Sequence, residues 1–170
     1  EWRDANAGHA AGTIAEVVKH ADIAFSCVGD DPDIRAVALA AFPAMRRGAV
    51  FVDHTTGSAA LAEDLARDAA KTGLAFIDAP VSGGEAGAQK GQLTVMCGGD
   101  ADAYAKVEPV IRAYAKMVRL LGPAGAGQKT KMVNQILIST TMIGLCEALL
   151  YTFKAGLDPN TVLQAVGGGA

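Results

Sequence analysis

The chain has 170 residues and a formal net charge of -3; 51% of its residues are apolar and 19% charged. That composition supports a buried core and excludes a disordered chain. Acidic and basic residues are interspersed, so no basic face is expected for nucleic acid or for an anionic membrane.

In chain order, Thr13-Ile14-Ala15-Glu16 is a capping-box pattern and predicts a helix to about His20. Ile23 to Val28 is a strand-like apolar run that holds the first cysteine. Asp30-Asp31-Pro32 predicts a helix start, with an acid at the cap and proline in the first turn, and that helix runs to about Ala41. A strand follows over Ala49–Asp53, then a helix capped by Ser58 through Thr72, closed by Gly73. Leu74–Asp78 and Gln92–Cys97 read as strands. Asp100 opens a helix expected to reach Lys116, and Met117–Leu121 returns as a strand. A long helix over about Gly127–Ala155 and a last helix from Asp158-Pro159 complete the chain. Glu1–Ala7 reads as the end of a helix and Gly167-Gly168-Gly169-Ala170 as a loop leading onward, so a piece of a longer protein is expected.

Short apolar strands alternating with longer helices imply an α/β fold with a mostly parallel sheet covered on both faces. The alternation stops at residue 122, which places a boundary between a domain over 1–122 and the start of a helical domain over 123–170. From Met132 to Phe153 the only charged residue is Glu147. Such a length could cross a bilayer. Yet Asn134, Gln135, Ser139, Thr140 and Thr141 lie inside it, and an all-round apolar helix equally suits the centre of a soluble core. A buried soluble helix and no membrane partner are expected. Cys27, Cys97 and Cys146 are isolated in apolar runs, with no metal or disulfide spacing. They read as small core residues in a reducing, cytoplasmic setting. The charged first residues carry no signal-peptide pattern.

Ligands of open α/β sheets bind outside the carboxyl ends of the strands. Three such ends are rich in polar and glycine residues: Cys27–Asp31, Asp53–Ser58 and Asp78–Gly84. Asp53, Asp78 and Glu85 there could be acid/base groups or turn caps. His54 could reach a ligand, without partners at metal-ligand spacing. Ser82-Gly83-Gly84 could hold a carboxylate through exposed N–H groups and a hydroxyl, or form a plain β-turn. Gly122 and Gly127 have the spacing of a phosphate loop, but Gln128 stands before Lys129-Thr130 and turns the lysine about 100° away. The glycines then read as a tight turn. Lys131, Asn134 and Gln135 are spaced i, i+3, i+4 and share one helix face. A lysine at the edge of so apolar a helix is either desolvated, with a lowered pKa suited to proton transfer, or extends its charge to water.

Taken together, Asp78-Ala79-Pro80-Val81-Ser82-Gly83-Gly84, Gly87-Ala88, Gly91-Gln92-Leu93-Thr94 and Gly98-Gly99 resemble the substrate-binding signature of the β-hydroxyacid dehydrogenases. That is the family of 3-hydroxyisobutyrate dehydrogenase and tartronate semialdehyde reductase. Gly125-x-Gly127-Gln128-x-x-Lys131-x-x-Asn134-Gln135 resembles its catalytic signature, and Asp53-x-Thr55-Thr56 its nicotinamide-side strand end. The resemblance implies an incomplete Rossmann-type domain followed by the start of an all-helical domain. It implies NAD- or NADP-dependent, reversible oxidation of a small β-hydroxyacid to its semialdehyde or keto form. The long apolar helix needs cover that a partner subunit could supply, so a homo-oligomer is expected for the intact protein. Lys131 would be the general acid/base. Ser82, Gly83 and Gly84 would hold the substrate carboxylate, with Asn134 and Gln135 alongside. Val28, Gly29, Asp33 and Thr56 would lie along the cofactor, Gly29 standing where the family commonly has proline. The family's Gly-x-Gly-x-x-Gly turn does not occur in these residues. Asn134-Gln135 departs from the Lys-x-x-His-Asn pattern of 6-phosphogluconate dehydrogenases, and Lys131 departs from imine reductases, which usually lack the lysine. A non-catalytic cofactor-binding or interaction module of the same fold is the alternative, and the retained Lys131 and Ser82 weigh against it.

Overall fold

Glu16 N–H donates to Thr13 Oγ1 at 3.2 Å while Thr13 N–H donates to Glu16 Oε2 at 3.2 Å, so the capping box forms as its spacing requires. The computed structural model describes residues 8–168. The expected helix end over residues 1–7 and the last two residues lie outside the described ones. Contacts divide the chain into two compact units, Glu1–Lys131 and Met132–Ala170.

The first unit runs α1 (Ile14–Val18), β1 (Ile23–Ser26), α2 (Asp31–Ala41), a 3-10 turn (Phe42–Ala44), β2 (Val50–Asp53), α3 (Ala59–Lys71) and β3 (Ala75–Asp78). It continues with β4 (Val81–Ser82), α4 (Gly84–Gln89), β5 (Leu93–Gly99), α5 (Ala101–Ile111) and β6 (Ala115–Leu120). Asp30, Ser58 and Asp100 cap α2, α3 and α5 through their side-chain oxygens, as their positions before apolar runs predict.

β1–β2, β2–β3 and β5–β6 pair in parallel, so the sheet is mostly parallel. β5 is antiparallel to both β3 and β4. The reason is the short connection: α4 is a six-residue helix, and a parallel crossover needs roughly a dozen residues or more. β4 continues the pairing of β3 along β5 past Pro80, whose carbonyl accepts from Met96 N–H at 3.0 Å.

Side chains alternate across the sheet. Phe51 and Phe76 face one core with Val18, Ile34, Ala38, Leu61 and Leu65 from α1, α2 and α3. Val50, Val52 and Ile77 face the other, with Ala103, Val107 and Ile111 of α5. Both faces are therefore covered, and full burial of a side chain such as Leu65 or Ile77 contributes about 1.5–3 kcal/mol.

α5 ends at Ile111 rather than Lys116, and β6 starts at Ala115 rather than Met117. Ala115 and Val118 are drawn inward by pairing with β5, and that tertiary contact overrides the helical preference of Ala-Lys-Met. Cys97 is buried, but Cys27 and Cys146 are exposed, one at the rim of the sheet and one on a helix surface. Only one of the three cysteines is thus a core residue.

The boundary between units falls inside α6 (Ala126–Lys154), beyond the end of the sheet, because the first turn of this helix is bonded to β3. The second unit holds the rest of α6 and α7 (Pro159–Val166), the latter capped by Asp158, which accepts from Thr161 N–H at 2.8 Å. α6 is long and apolar enough to cross a membrane. It is not buried by the described residues: Ile136 is 65% exposed and Phe153 75%. The expected burial fails here because, among the described residues, the second unit offers no helix besides the rest of α6 and α7.

Candidate functional site

The register Ser26↔Asp53↔Asp78 aligns the carboxyl ends of β1, β2 and β3 on one edge of the sheet. The three polar loops therefore begin side by side. Asp53 binds the first two together: its Oδ1 accepts from the Ser26 hydroxyl at 2.5 Å and from the Thr55 hydroxyl at 2.9 Å. Thr55 Oγ1 in turn accepts from Val28 N–H at 2.8 Å. Burial pushes the Asp53 carboxyl up, and the bonds from Ser26 and Thr55 pull it back. A second tie runs from Ser58 N–H to Asp31 Oδ1 at 2.8 Å. Asp53 is thus a brace, the capping alternative of the two it could fill.

Above this brace Val28, Gly29 and Thr56 are exposed on the two adjacent loops, and Asp33 is exposed in the first turn of α2. The Asp33 carboxylate folds against Gly29, where an added Cβ would lie 2.2 Å from its oxygen. Among the described residues the Thr56 hydroxyl has no intramolecular hydrogen bond, while Thr55 beside it is buried and fully engaged.

Asp78, at 0% exposure, holds the start of α6. Its Oδ1 accepts from Gly125 N–H at 2.8 Å and its Oδ2 from Gln128 N–H at 2.9 Å. Burial raises its pKa and these N–H groups lower it. The amides that a phosphate would need are occupied by a carboxylate, which removes the phosphate-loop reading of this glycine turn. The glycines serve close approach instead: a Cβ on Gly127 would lie 2.4 Å from Met96 O, and one on Gly98 2.6 Å from Asp78 Oδ1. Lys129 ion-pairs with Glu63 at 2.8 Å on the surface, apart from these contacts.

Gln128 is 2% exposed and uses both ends of its amide. Nε2 donates to Thr55 O at 2.7 Å, and Oε1 accepts from Gly57 N–H at 3.0 Å. Sequence reasoning treats it as the residue that spoils a phosphate loop and, through the family resemblance, as a position of the catalytic signature with no role of its own. The signal for its role is a polar amide in the first turn of an otherwise apolar helix.

Three residues on, Lys131 is 9% exposed and has no ion-pair or hydrogen-bond partner among the described residues. Burial lowers its pKa below the ordinary lysine range. Of the two readings of this side chain, desolvation holds. Ser82 ends β4, half-buried and paired with Thr94. Gly83 and Gly84 are exposed and begin α4 rather than a β-turn, with φ of 132° and 61° that only glycine adopts freely. Asn134 and Gln135 lie in the second unit, with Asn134 Nδ2 donating to Gln135 Oε1 at 3.1 Å.

His54 does not reach outward. Its Nδ1 lies 2.7 Å from Ala79 O and its Nε2 2.7 Å from Tyr114 Oη, with the ring stacked on Phe25. A carbonyl only accepts, so Nδ1 carries the proton and Nε2 accepts from the tyrosine. Burial lowers the pKa of this histidine and keeps it neutral, and raises that of Tyr114 to about 12. Among the described residues no cluster of side chains could hold a metal ion.

Residues 2–122 match the family profile described as "NAD binding domain of 6-phosphogluconate dehydrogenase". Residues 125–170 match that described as "NAD-binding of NADP-dependent 3-hydroxyisobutyrate dehydrogenase". An uncharacterized oxidoreductase of Shewanella frigidimarina is 46% identical, over 100% of this chain and 60% of its own length. The probable 3-hydroxyisobutyrate dehydrogenase-like 1, mitochondrial, of Arabidopsis thaliana is 41% identical over 91% of this chain and 47% of its own. The solved 3-hydroxyisobutyrate dehydrogenase of Mycobacterium tuberculosis with L-serine superposes with a TM-score of 0.86 at 29% identity, over 92% of this chain and 54% of that one. The chain spans about half the length of the curated relatives it matches.

Proposed function

The chain belongs to the β-hydroxyacid dehydrogenase family, and from that premise we propose that the full protein oxidises a small β-hydroxyacid reversibly to its semialdehyde or keto form. NAD or NADP is its cofactor and Lys131 its general acid/base. The observation that carries this reading is Lys131, buried and without a partner among the described residues, on a helix whose start is bonded to the loops at the strand ends.

The exposed rim fits the sugar side of a dinucleotide. Thr56 offers a hydroxyl, and Asp33, folded against Gly29, offers a carboxylate that suits ribose hydroxyls better than phosphate. Val28, Gly29, Asp33 and Thr56 would hold a nicotinamide cofactor, which when bound would supply the hydride acceptor for oxidation and the hydride donor for reduction. Lys131 handles the proton. In oxidation its neutral Nζ takes the hydroxyl proton; in reduction its ammonium gives that proton to the carbonyl oxygen. The Ser82 hydroxyl and the N–H groups of Gly83 and Gly84 hold the substrate carboxylate, and Asn134 and Gln135 are further substrate-binding residues in this reading. The substrate is a small carboxylate, and a homo-oligomer in the cytoplasm is the setting we propose for the intact protein.

The test is nicotinamide binding and turnover of a panel of small hydroxyacids by the full-length protein; absence of both ends the reading. Its pH dependence has a defined sign. Oxidation needs neutral Lys131, so kcat/KM for oxidation rises with pH and levels off above the Lys131 pKa. Reduction needs the ammonium and falls over the same window. Because burial lowers this pKa, the inflection lies below the ordinary lysine value of 10.5. An oxidation profile with no such limb up to that pH argues against the lysine. Ser82→Ala is expected to raise KM for the hydroxyacid about tenfold, one hydrogen bond to a charged group, with kcat within about threefold. Steady-state kinetics on the acid and on its methyl ester separate this from general damage, since only the acid should respond.

A further inference from the structure

We propose that Gln128 is a positioning residue that fixes the spacing between the Thr55–Gly57 loop and the helix turn carrying Lys131. This rests on the dehydrogenase reading and extends it to a residue that touches neither reacting atom. Three contacts define the role. The Gln128 backbone N–H is held by Asp78 Oδ2 at 2.9 Å, so the residue is fixed to the end of β3. Its side-chain oxygen accepts from Gly57 N–H at 3.0 Å, and its side-chain nitrogen donates to Thr55 O at 2.7 Å. Thr56 is therefore bracketed on both sides by one amide, and its own side chain is left facing out. Lys131 follows on the same helix, just under one turn away.

The loop and the lysine come from segments about seventy residues apart, and residue 128 is where their spacing is set. A side chain that only filled space would not need a donor and an acceptor aimed at two different peptide groups. Aspartate and asparagine are one methylene too short to span both, and methionine has the volume without the bonds. Hydride and proton transfer need the reacting atoms held to within a fraction of an ångström, so a small shift of this loop against Lys131 costs turnover more than binding.

The experiment compares full-length wild type with Gln128→Met and Gln128→Glu. In the cofactor-free protein, amide exchange at Gly57 is expected to speed up at least about tenfold in Gln128→Met, one lost hydrogen bond. With nicotinamide and hydroxyacid saturating, kcat is expected to fall about 10–100-fold while KM for the hydroxyacid stays within about threefold. In Gln128→Glu a protonated carboxyl can still donate to Thr55 O, whereas the carboxylate repels it. Its kcat relative to wild type at each pH should therefore be highest at low pH and fall as pH rises. The pH-dependent ratio also covers the case in which Gln128→Met does not fold. An active wild type with folded Gln128→Met at unchanged kcat, unchanged Gly57 exchange, or a Gln128→Glu ratio flat with pH overturns this proposal and leaves the dehydrogenase reading standing. A wild type that neither binds nicotinamide nor turns over hydroxyacid overturns both.

Discussion

Lys131→Ala is expected to lower kcat for hydroxyacid oxidation by about 10²–10⁴-fold, the range for removing a positioned general base. Nicotinamide affinity should stay within about twofold, because in the proposed mechanism Lys131 acts on the substrate oxygen and not on the cofactor. The size of the effect follows from where the lysine sits. It is buried and without a carboxylate partner among the described residues, so its neutral form is populated closer to neutrality than that of a surface lysine. Lys131→Arg should be as damaging for oxidation despite its similar length, since a guanidinium stays protonated and cannot accept the hydroxyl proton. Rates of all three proteins on the same hydroxyacid panel decide the matter. Equal oxidation by wild type and Lys131→Ala would falsify the assignment.

Asp78→Ala should destabilise the first unit by about 2–4 kcal/mol, measured by denaturant unfolding of the full-length protein. Two buried hydrogen bonds to a charged group are lost, and the Gly125 and Gln128 N–H groups are left without a partner in a helix start packed against β5. Gly98 and Gly127 bring the backbones so close that no side chain can move in to replace the carboxylate. Asp78→Asn should be intermediate, because the amide keeps one acceptor but turns a donor towards the second N–H. Activity should fall in both, since Gln128 and Lys131 both depend on this anchor. Stability of Asp78→Ala within about 0.5 kcal/mol of wild type would mean that the helix start is held by something else.

Much of the fold was legible because its signals are local. Thr13, Asp30, Ser58, Asp100 and Asp158 each stand before an apolar periodic run, and each caps a helix. The strand ends rich in serine, threonine, aspartate and glycine did align on one edge. What failed was long-range. The reversal at β5 depends on how few residues α4 provides, and the early start of β6 depends on its pairing with β5. The exposure of α6 could not be read from its apolar composition, which is the same whether or not another segment covers it.

The site divides the same way. Short stretches made Ser82-Gly83-Gly84 and Lys131 candidates beside plainer alternatives, and Thr56 a candidate through the family resemblance alone; all of them stand as the proposed site. The order of importance among the buried polar groups came only from the tertiary structure. Asp53 and Asp78 looked like acid/base candidates and are braces, while Gln128 looked like a spoiled phosphate loop and joins two strand-end loops to a helix. A carboxylate or an amide reads alike in sequence whether it faces a ligand or a backbone N–H. Its partner lies tens of residues away, and the low dielectric that makes the bond strong exists only once the chain has folded around it.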